Sequence, residues 1–267
     1  MSDRLAEVLT DLSTEGEQLD GWVRDLPDDR WLTETSAPGW TIAHQIAHLH
    51  WTDDASVRAA AGDGFADLLK EAAANPTGYV DKAADALAAT PPAELLVRWR
   101  DGRASLAAAL RAVTPGERIA WFGPPMSPTS MATARLMETW AHGHDVAEAL
   151  GIEVPVTARV RHVCHLGVRT RGFAYAVRGF ELPDTEVYVE LTGPDGETWT
   201  WGDPDATERV TGSAWDFGLL VTRRRHLDDV DVHADGSDAE QWLVIAQAFA
   251  GLPGRDPVRL ADRAAAT

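Results

Sequence analysis

The spacing of apolar residues changes character once along this chain of 267 residues, after Pro155, and that change constrains what each half can become. Before it, apolar side chains recur every three or four positions, the period of a helix with one buried face. Residues from about 2 to 24 put Leu5, Val8, Leu9, Leu12, Leu19 and Val23 on one stripe that stops near Leu26-Pro27. A second helix opens at Trp40-Thr41, with Thr41 as N-cap, and runs through Ile42, Ile46, Leu49 and Val57. A third helical region, Ala66 to Ala89, is interrupted by Asn75, Pro76 and Gly78, and a fourth spans Pro92 to Val113 with Leu95, Leu96, Trp99, Leu106 and Leu110 inward. A Pro-rich loop from Trp121 to Ser130 leads to a last helix over Met131 to Leu150, ended by Gly151. Four long helices with their connections predict a bundle.

Beyond Pro155 the reading changes. Val156 to Arg178 is still helical, but Glu186 to Leu191 and Thr198 to Trp201 alternate around Gly193-Pro194-Asp195-Gly196, a hairpin pattern. A strand over Glu208 to Thr211, a helix over Ala214 to Arg223, a short strand at Val230 to Val232 and a closing helix over Asp238 to Phe249 complete it, and the terminal ADRAAAT is expected to fray. The fold class is therefore α+β: a helical bundle over 1–154 and a small α+β domain over 155–267. At 45% hydrophobic residues the chain can fill two cores.

Composition excludes several classes of function. A net charge of −18 repels phosphodiester backbones, and the one dense basic run is Arg223, Arg224 and Arg225, so no nucleic-acid partner is expected. A lone cysteine, Cys164, in an apolar helical stretch, leaves no disulfide framework and reads as a core residue. The N-terminal segment is charged throughout, unlike a secretory signal, and no apolar run approaches the roughly 18 residues of a membrane span; a cytoplasmic protein is expected.

Chemistry concentrates in two helices. Glu138 and His142 lie four residues apart and share a helix face, as do His44 and His48, while His50 projects elsewhere. Carboxylate and imidazole on facing helices of a bundle can share a cation, and spacing alone nominates both His44 and His48 as its ligands. The bland reading is a pair of hydrogen-bonded or solvated helix faces. Asp145 either orients a ligand imidazole or has a solvent-exposed or helix-capping role. There is no GxSxG elbow and no phosphate-binding glycine loop.

The segments PGWTIAHQIAHLHW and ARLMETWAHGHDVAEALG resemble the two signature helices of the DinB-like superfamily, particularly its mycothiol-dependent maleylpyruvate isomerase branch. The resemblance implies a divalent metal, zinc foremost, on His48, Glu138 and His142, with a position left open, and moves His44 to the pocket wall where a cofactor binds. The segments SAWDFGLLVTRRRHLDD and WLVIAQAFAG resemble that branch's sterol-carrier-like second domain. They imply a catalytic arginine at Arg224, with Arg223 and Arg225 beside it for the cofactor. The same run also suits a basic helix end. The implied activity is isomerisation of, or sulfur transfer to, a small electrophile by a low-molecular-weight thiol such as mycothiol, in a monomer or homodimer. Two other readings stand beside it: a metal-bearing binding module without turnover, and a role in wyosine formation on transfer RNA, from a likeness in LTGPDGETWTWG that the net charge opposes.

Overall fold

Helix α1 (Asp3–Val23) buries the stripe expected of it, with Leu5, Val8, Leu9, Leu12, Leu19 and Val23 all inside. The structure, a computed structural model, describes residues 3–263 and forms two compact units that divide the chain between Val154 and Pro155. In the first unit α1 is followed by α2 (Ile42–Ala61), α3 (Phe65–Ala74), α4 (Tyr79–Ala88), α5 (Pro92–Ala112) and α6 (Pro128–Leu150). The interrupted third region is thus two short helices, parted where the Asn75 side chain accepts the N–H of Gly78 at 3.1 Å. Helix α6 starts three residues earlier than the pattern suggests. Ser127 caps it by accepting the N–H of Ser130 at 3.1 Å, and Pro128 takes the first position, where no donor is needed. Gly151, at φ 68°, ends it in the left-handed conformation that glycine adopts without steric cost.

Trp31, Ile42, Ile46, Leu49, Leu95, Trp99 and Val146 meet in one core. Two ion pairs tie the helices together. Arg100 on α5 grips Asp20 on α1 with both Nε (2.6 Å) and Nη2 (2.9 Å). Arg135 on α6 gives Nε to Asp53 on α2 at 2.9 Å and Nη2 to the Thr52 hydroxyl at 2.5 Å, and both members of the Arg135–Asp53 pair are buried. That second pair sets the register of α2 against α6.

The second unit opens with α7 (Val160–Arg169) and α8 (Arg171–Ala176). Strands β1 (Val187–Thr192), β2 (Thr198–Trp201), β3 (Glu208–Ser213) and β4 (Val232–Asp235) form a sheet in the order β2-β1-β3-β4. The hairpin β1–β2 is antiparallel as its turn residues suggest, β3 runs parallel to β1, and β4 is antiparallel to β3. At Gly212 (φ 142°) a Cβ would stand 2.2 Å from the Asp231 carbonyl oxygen, so β3 tolerates only glycine there. Helices α9 (Ala214–Val221), α10 (Ser237–Ile245) and the single turn α11 (Leu260–Arg263) complete the unit. Cys164 is buried, its thiol donating to the Ala214 carbonyl at 3.1 Å.

The expected helix over Val156 to Arg178 is divided into α7 and α8, and three further boundaries of this unit differ from expectation, each for a local reason. Strand β4 begins later, because Leu227–Asp229 form a 3-10 turn capped by His226. Helix α10 stops at Ile245, because the Ala248 N–H is drawn to the Val221 carbonyl at 2.8 Å and the buried Gln247 amide donates to the carbonyls of Phe249 and Gly251. Helix α9 stops at Val221, because Arg223 turns left-handed, as described below. Residues 1–2 and 264–267, the latter most of the ADRAAAT end, lie outside the described residues. Among the described residues no helix is long and apolar enough to cross a membrane.

Glu208 of β3 accepts the N–H groups of Asp238 and Ala239, both at 2.9 Å, and so satisfies two open donors at the N-terminus of α10. Glu208→Ala is expected to cost about 1–2 kcal/mol. Urea unfolding followed by amide exchange in α10 checks it.

Candidate metal centre

Helices α2 and α6 carry the candidate donors because apolar neighbours hold those faces inside: Ile46, Ala47 and Leu49 flank His48, and Leu136, Met137 and Ala141 flank the other pair. His142 Nε2 stands 3.1 Å from Glu138 Oε2, and His48 Nε2 stands 3.5 Å from the same oxygen. The three residues can present one donor atom each with all three within 4.8 Å of one another. Ligands about 2.0–2.2 Å from a tetrahedral zinc stand about 3.3–3.6 Å apart, so the spacing suits one shared cation. His48 and His142 are buried, their ring centroids 4.6 Å apart, and Glu138 is partly exposed.

The charge of the cluster follows from its contacts. Burial works to raise the Glu138 carboxyl, but the hydrogen bonds from His142 and His48 outweigh it and hold the group well below the ordinary carboxylate range. Glu138 is therefore an anion at neutral pH and gives up no proton on meeting a metal. A wall of aromatic rings surrounds the imidazoles. Trp40 stacks on His142 at 6.0 Å and lies 5.3 Å from His48, whose other neighbour is Trp51 at 6.0 Å. The Trp40 indole N–H is tied to Asp81 of α4 at 3.0 Å.

The remaining candidates fall elsewhere. His44, equal to His48 by spacing, occupies the N3 position of the capping box of α2. Its Nδ1 accepts the Thr41 N–H at 3.2 Å, and its Nε2 meets Asp85 of α4 at 3.1 Å. Both ring nitrogens are thereby engaged outside the cluster. The signal was present in Thr41-Ile-Ala-His44, a capping-box spacing with histidine in place of Glu or Gln. His50 faces α5, close to Gly102, and burial lowers its pKa against the opposing pull of Asp53 and Asp54. Asp145 is buried rather than solvated; one oxygen accepts the Ser36 hydroxyl at 3.2 Å and the other lies 3.7 Å from His142 Nδ1. The group in direct contact with His142 Nδ1 is the Gln45 carbonyl oxygen, a partner that residue spacing did not nominate.

The arginines stand together in the second unit, where α9 ends. Arg223 adopts φ 61°, and the N–H groups of Arg223 and Arg224 return to the carbonyls of Leu220 (2.9 Å) and Leu219 (2.8 Å). This helix-ending turn usually employs glycine, and a side chain there costs about 1 kcal/mol. Arg223 bonds Asp256 at 2.6 Å, and together with Arg225 and His226 it lines a cavity of about 270 Å³. Arg224 and Arg225 bond the carbonyls of Thr222 (2.7 Å) and Arg224 (2.8 Å).

Comparison with known proteins gives these features a context. A family model described as the mycothiol maleylpyruvate isomerase N-terminal domain matches residues 12–147, just over half of the chain, and one described as wyosine base formation matches residues 183–235. Uncharacterized proteins from two strains of Mycobacterium tuberculosis are each 58% identical to this chain over 248 residues, which is 92% of this chain and 96% of the relative. The crystal structure of the mycothiol-dependent maleylpyruvate isomerase is similar with a TM-score of 0.56 at 14% identity, covering 88% of this chain and 95% of that one. A histidine-to-alanine mutant of that enzyme matches equally. At such identity the likeness shows the fold, a helical region followed by a small α+β domain.

Proposed function

Because this chain belongs to the family of mycothiol maleylpyruvate isomerase N-terminal domains, we propose that it is a metal-dependent enzyme in which a low-molecular-weight thiol of the mycothiol type attacks a small electrophile, for isomerisation or sulfur transfer. The observation that carries this reading is the convergence of His48, Glu138 and His142, with one donor atom from each, fewer protein donors than the four that usually close a structural zinc site. A divalent cation bound there supplies a Lewis acid that ionises a coordinating thiol at neutral pH.

The chain's own residues do the rest. Glu138 contributes the one formal negative charge among the three residues that would hold the cation, so they would neutralise a divalent charge only in part. Trp40 and Trp51 shield the imidazoles from water and strengthen every charge interaction at the cluster. Arg224, flanked by Arg223 and Arg225, is assigned to a carboxylate of substrate or cofactor, which a guanidinium holds by two parallel hydrogen bonds. The sulfur has to come from outside the chain. Cys164 is its only cysteine, and burial pushes that thiol far above its ordinary pKa.

The match to a wyosine-formation model favours a second reading, a transfer-RNA partner, but residues 183–235 hold thirteen acidic side chains against four arginines. That surface repels a phosphate backbone.

The test is a panel of small electrophiles, maleylpyruvate included, incubated with zinc-loaded protein and mycothiol. Either isomerised product or a thiol adduct is expected, at a rate that requires both metal and thiol. Turnover that proceeds equally without thiol, or none with any substrate, contradicts the proposal, and the latter result favours a binding module.

A further inference from the structure

We infer that Gln45 is a positioning residue for the metal centre, holding the His142 imidazole with its proton on Nδ1 so that Nε2 offers a lone pair to the cation. The inference rests on the metal-binding reading above and adds to it a residue outside the three ligands. It follows from a chain of hydrogen bonds whose direction is set from one end. The Thr35 hydroxyl has a single proton, given to the Trp40 carbonyl oxygen at 2.8 Å. Toward Gln45 that hydroxyl can then only accept, and it takes a proton of the side-chain NH2 at 2.8 Å. With its nitrogen committed there, Gln45 turns its carbonyl oxygen to His142 Nδ1, in close contact. A carbonyl oxygen cannot donate, so Nδ1 carries a proton, and the proton that Nε2 gives to Glu138 at 3.1 Å in the metal-free protein is the one a cation would displace.

The relay joins the turn before α2 and α2 itself to α6, which lies 97 residues further along the chain at the Gln45–His142 contact. Gln45 is fully buried, so water does not compete for its amide. The Thr35 backbone N–H ends on the same Trp40 carbonyl at 2.8 Å, which closes that stretch into a loop and fixes the hydroxyl. Asp145, the carboxylate that spacing suggested for this role, lies 3.7 Å from Nδ1, beyond hydrogen-bond reach. The choice of an amide has a chemical consequence. A carboxylate at position 45 would orient the ring equally well but add one more acidic group to a centre that already has Glu138 and, 3.7 Å from His142 Nδ1, Asp145, whereas the amide orients the ring without adding charge.

Zinc affinity by chelator competition, together with nitrogen NMR of metal-free protein labelled at histidine, separates this role from packing. Gln45→Leu is expected to weaken zinc binding by about 10- to 100-fold, the usual worth of a group that orients a metal ligand. Gln45→Glu keeps the acceptor and is expected to retain affinity. Thr35→Val touches no ligand but frees the amide to turn, and is expected to weaken binding in the same direction; it serves also if Gln45→Leu does not fold. The Nδ1–H resonance of His142 is expected in the wild type and in Gln45→Glu. Unchanged affinity in both Gln45→Leu and Thr35→Val, or equal losses in Gln45→Leu and Gln45→Glu, overturns the inference. Wild-type protein that takes up no zinc overturns the metal reading instead, and a His142 proton found on Nε2 alone overturns the tautomer whether or not metal binds.

Discussion

His142→Ala is expected to reduce bound zinc from about one ion per chain to a small fraction of one, and thiol-dependent turnover by more than about a hundredfold, since even a group that only orients a ligand is worth about 10- to 100-fold. The expectation follows from ligand count. The cluster has three protein donors, and removing one leaves Glu138 with His48 alone, two ligands that water must supplement. The informative comparison is His44→Ala. Both histidines sit on helix faces suited to a metal, but His44 spends its nitrogens on Thr41 and Asp85. His44→Ala is therefore expected to keep its zinc while losing part of the cap of α2, seen as a lower melting temperature. Elemental analysis of the two variants beside the wild type, with circular dichroism to verify folding, decides it. Equal zinc in both variants would contradict the assignment of ligands.

The second large effect concerns stability. Asp53→Ala is expected to cost about 3–5 kcal/mol, because it strands the Arg135 guanidinium in the interior of the bundle. Burial raises the Asp53 pKa and the Arg135 charge and hydrogen bond oppose that rise, as for an ion pair taken out of water. Such a loss is a large share of the roughly 5–15 kcal/mol that holds a typical domain together. Replacing both partners, Asp53→Leu with Arg135→Met, removes the charges together and is expected to recover at least half of it. Urea midpoints followed by tryptophan fluorescence measure both. A single variant within about 1 kcal/mol of wild type would show that solvent reaches the guanidinium. The pair bears on function because it joins α2 to α6, the helices that bring His48 to Glu138 and His142.

What residue order reveals, and what it hides, divides along the range of the interaction. The stripes of α1, α2 and α5 were legible because helical burial repeats every three or four residues, and the β1–β2 hairpin because its turn residues are local. The i, i+4 pairing of Glu138 with His142 was legible for the same reason. Spacing left His44 and His48 equal, and the resemblance to a family chose between them. In the structure the capping box and Asp85 engage both nitrogens of His44 outside the cluster. Gln45 against His142, and Asp53 against Arg135, are contacts across 97 and 82 residues, with no local pattern to announce them. The ends of α9 and α10 were misread because each depends on a backbone turn, the left-handed Arg223 and the pull of Val221 on Ala248, in segments whose apolar content continues the helical pattern.

Anomalous diffraction from crystals of zinc-loaded protein, recorded on both sides of the zinc absorption edge, tests the central claim most directly. One peak is expected, about 2.0–2.2 Å from His48 Nε2, Glu138 Oε2 and His142 Nε2 together, with His44 outside the coordination sphere. No peak at that point, or a peak held by other residues, would contradict it.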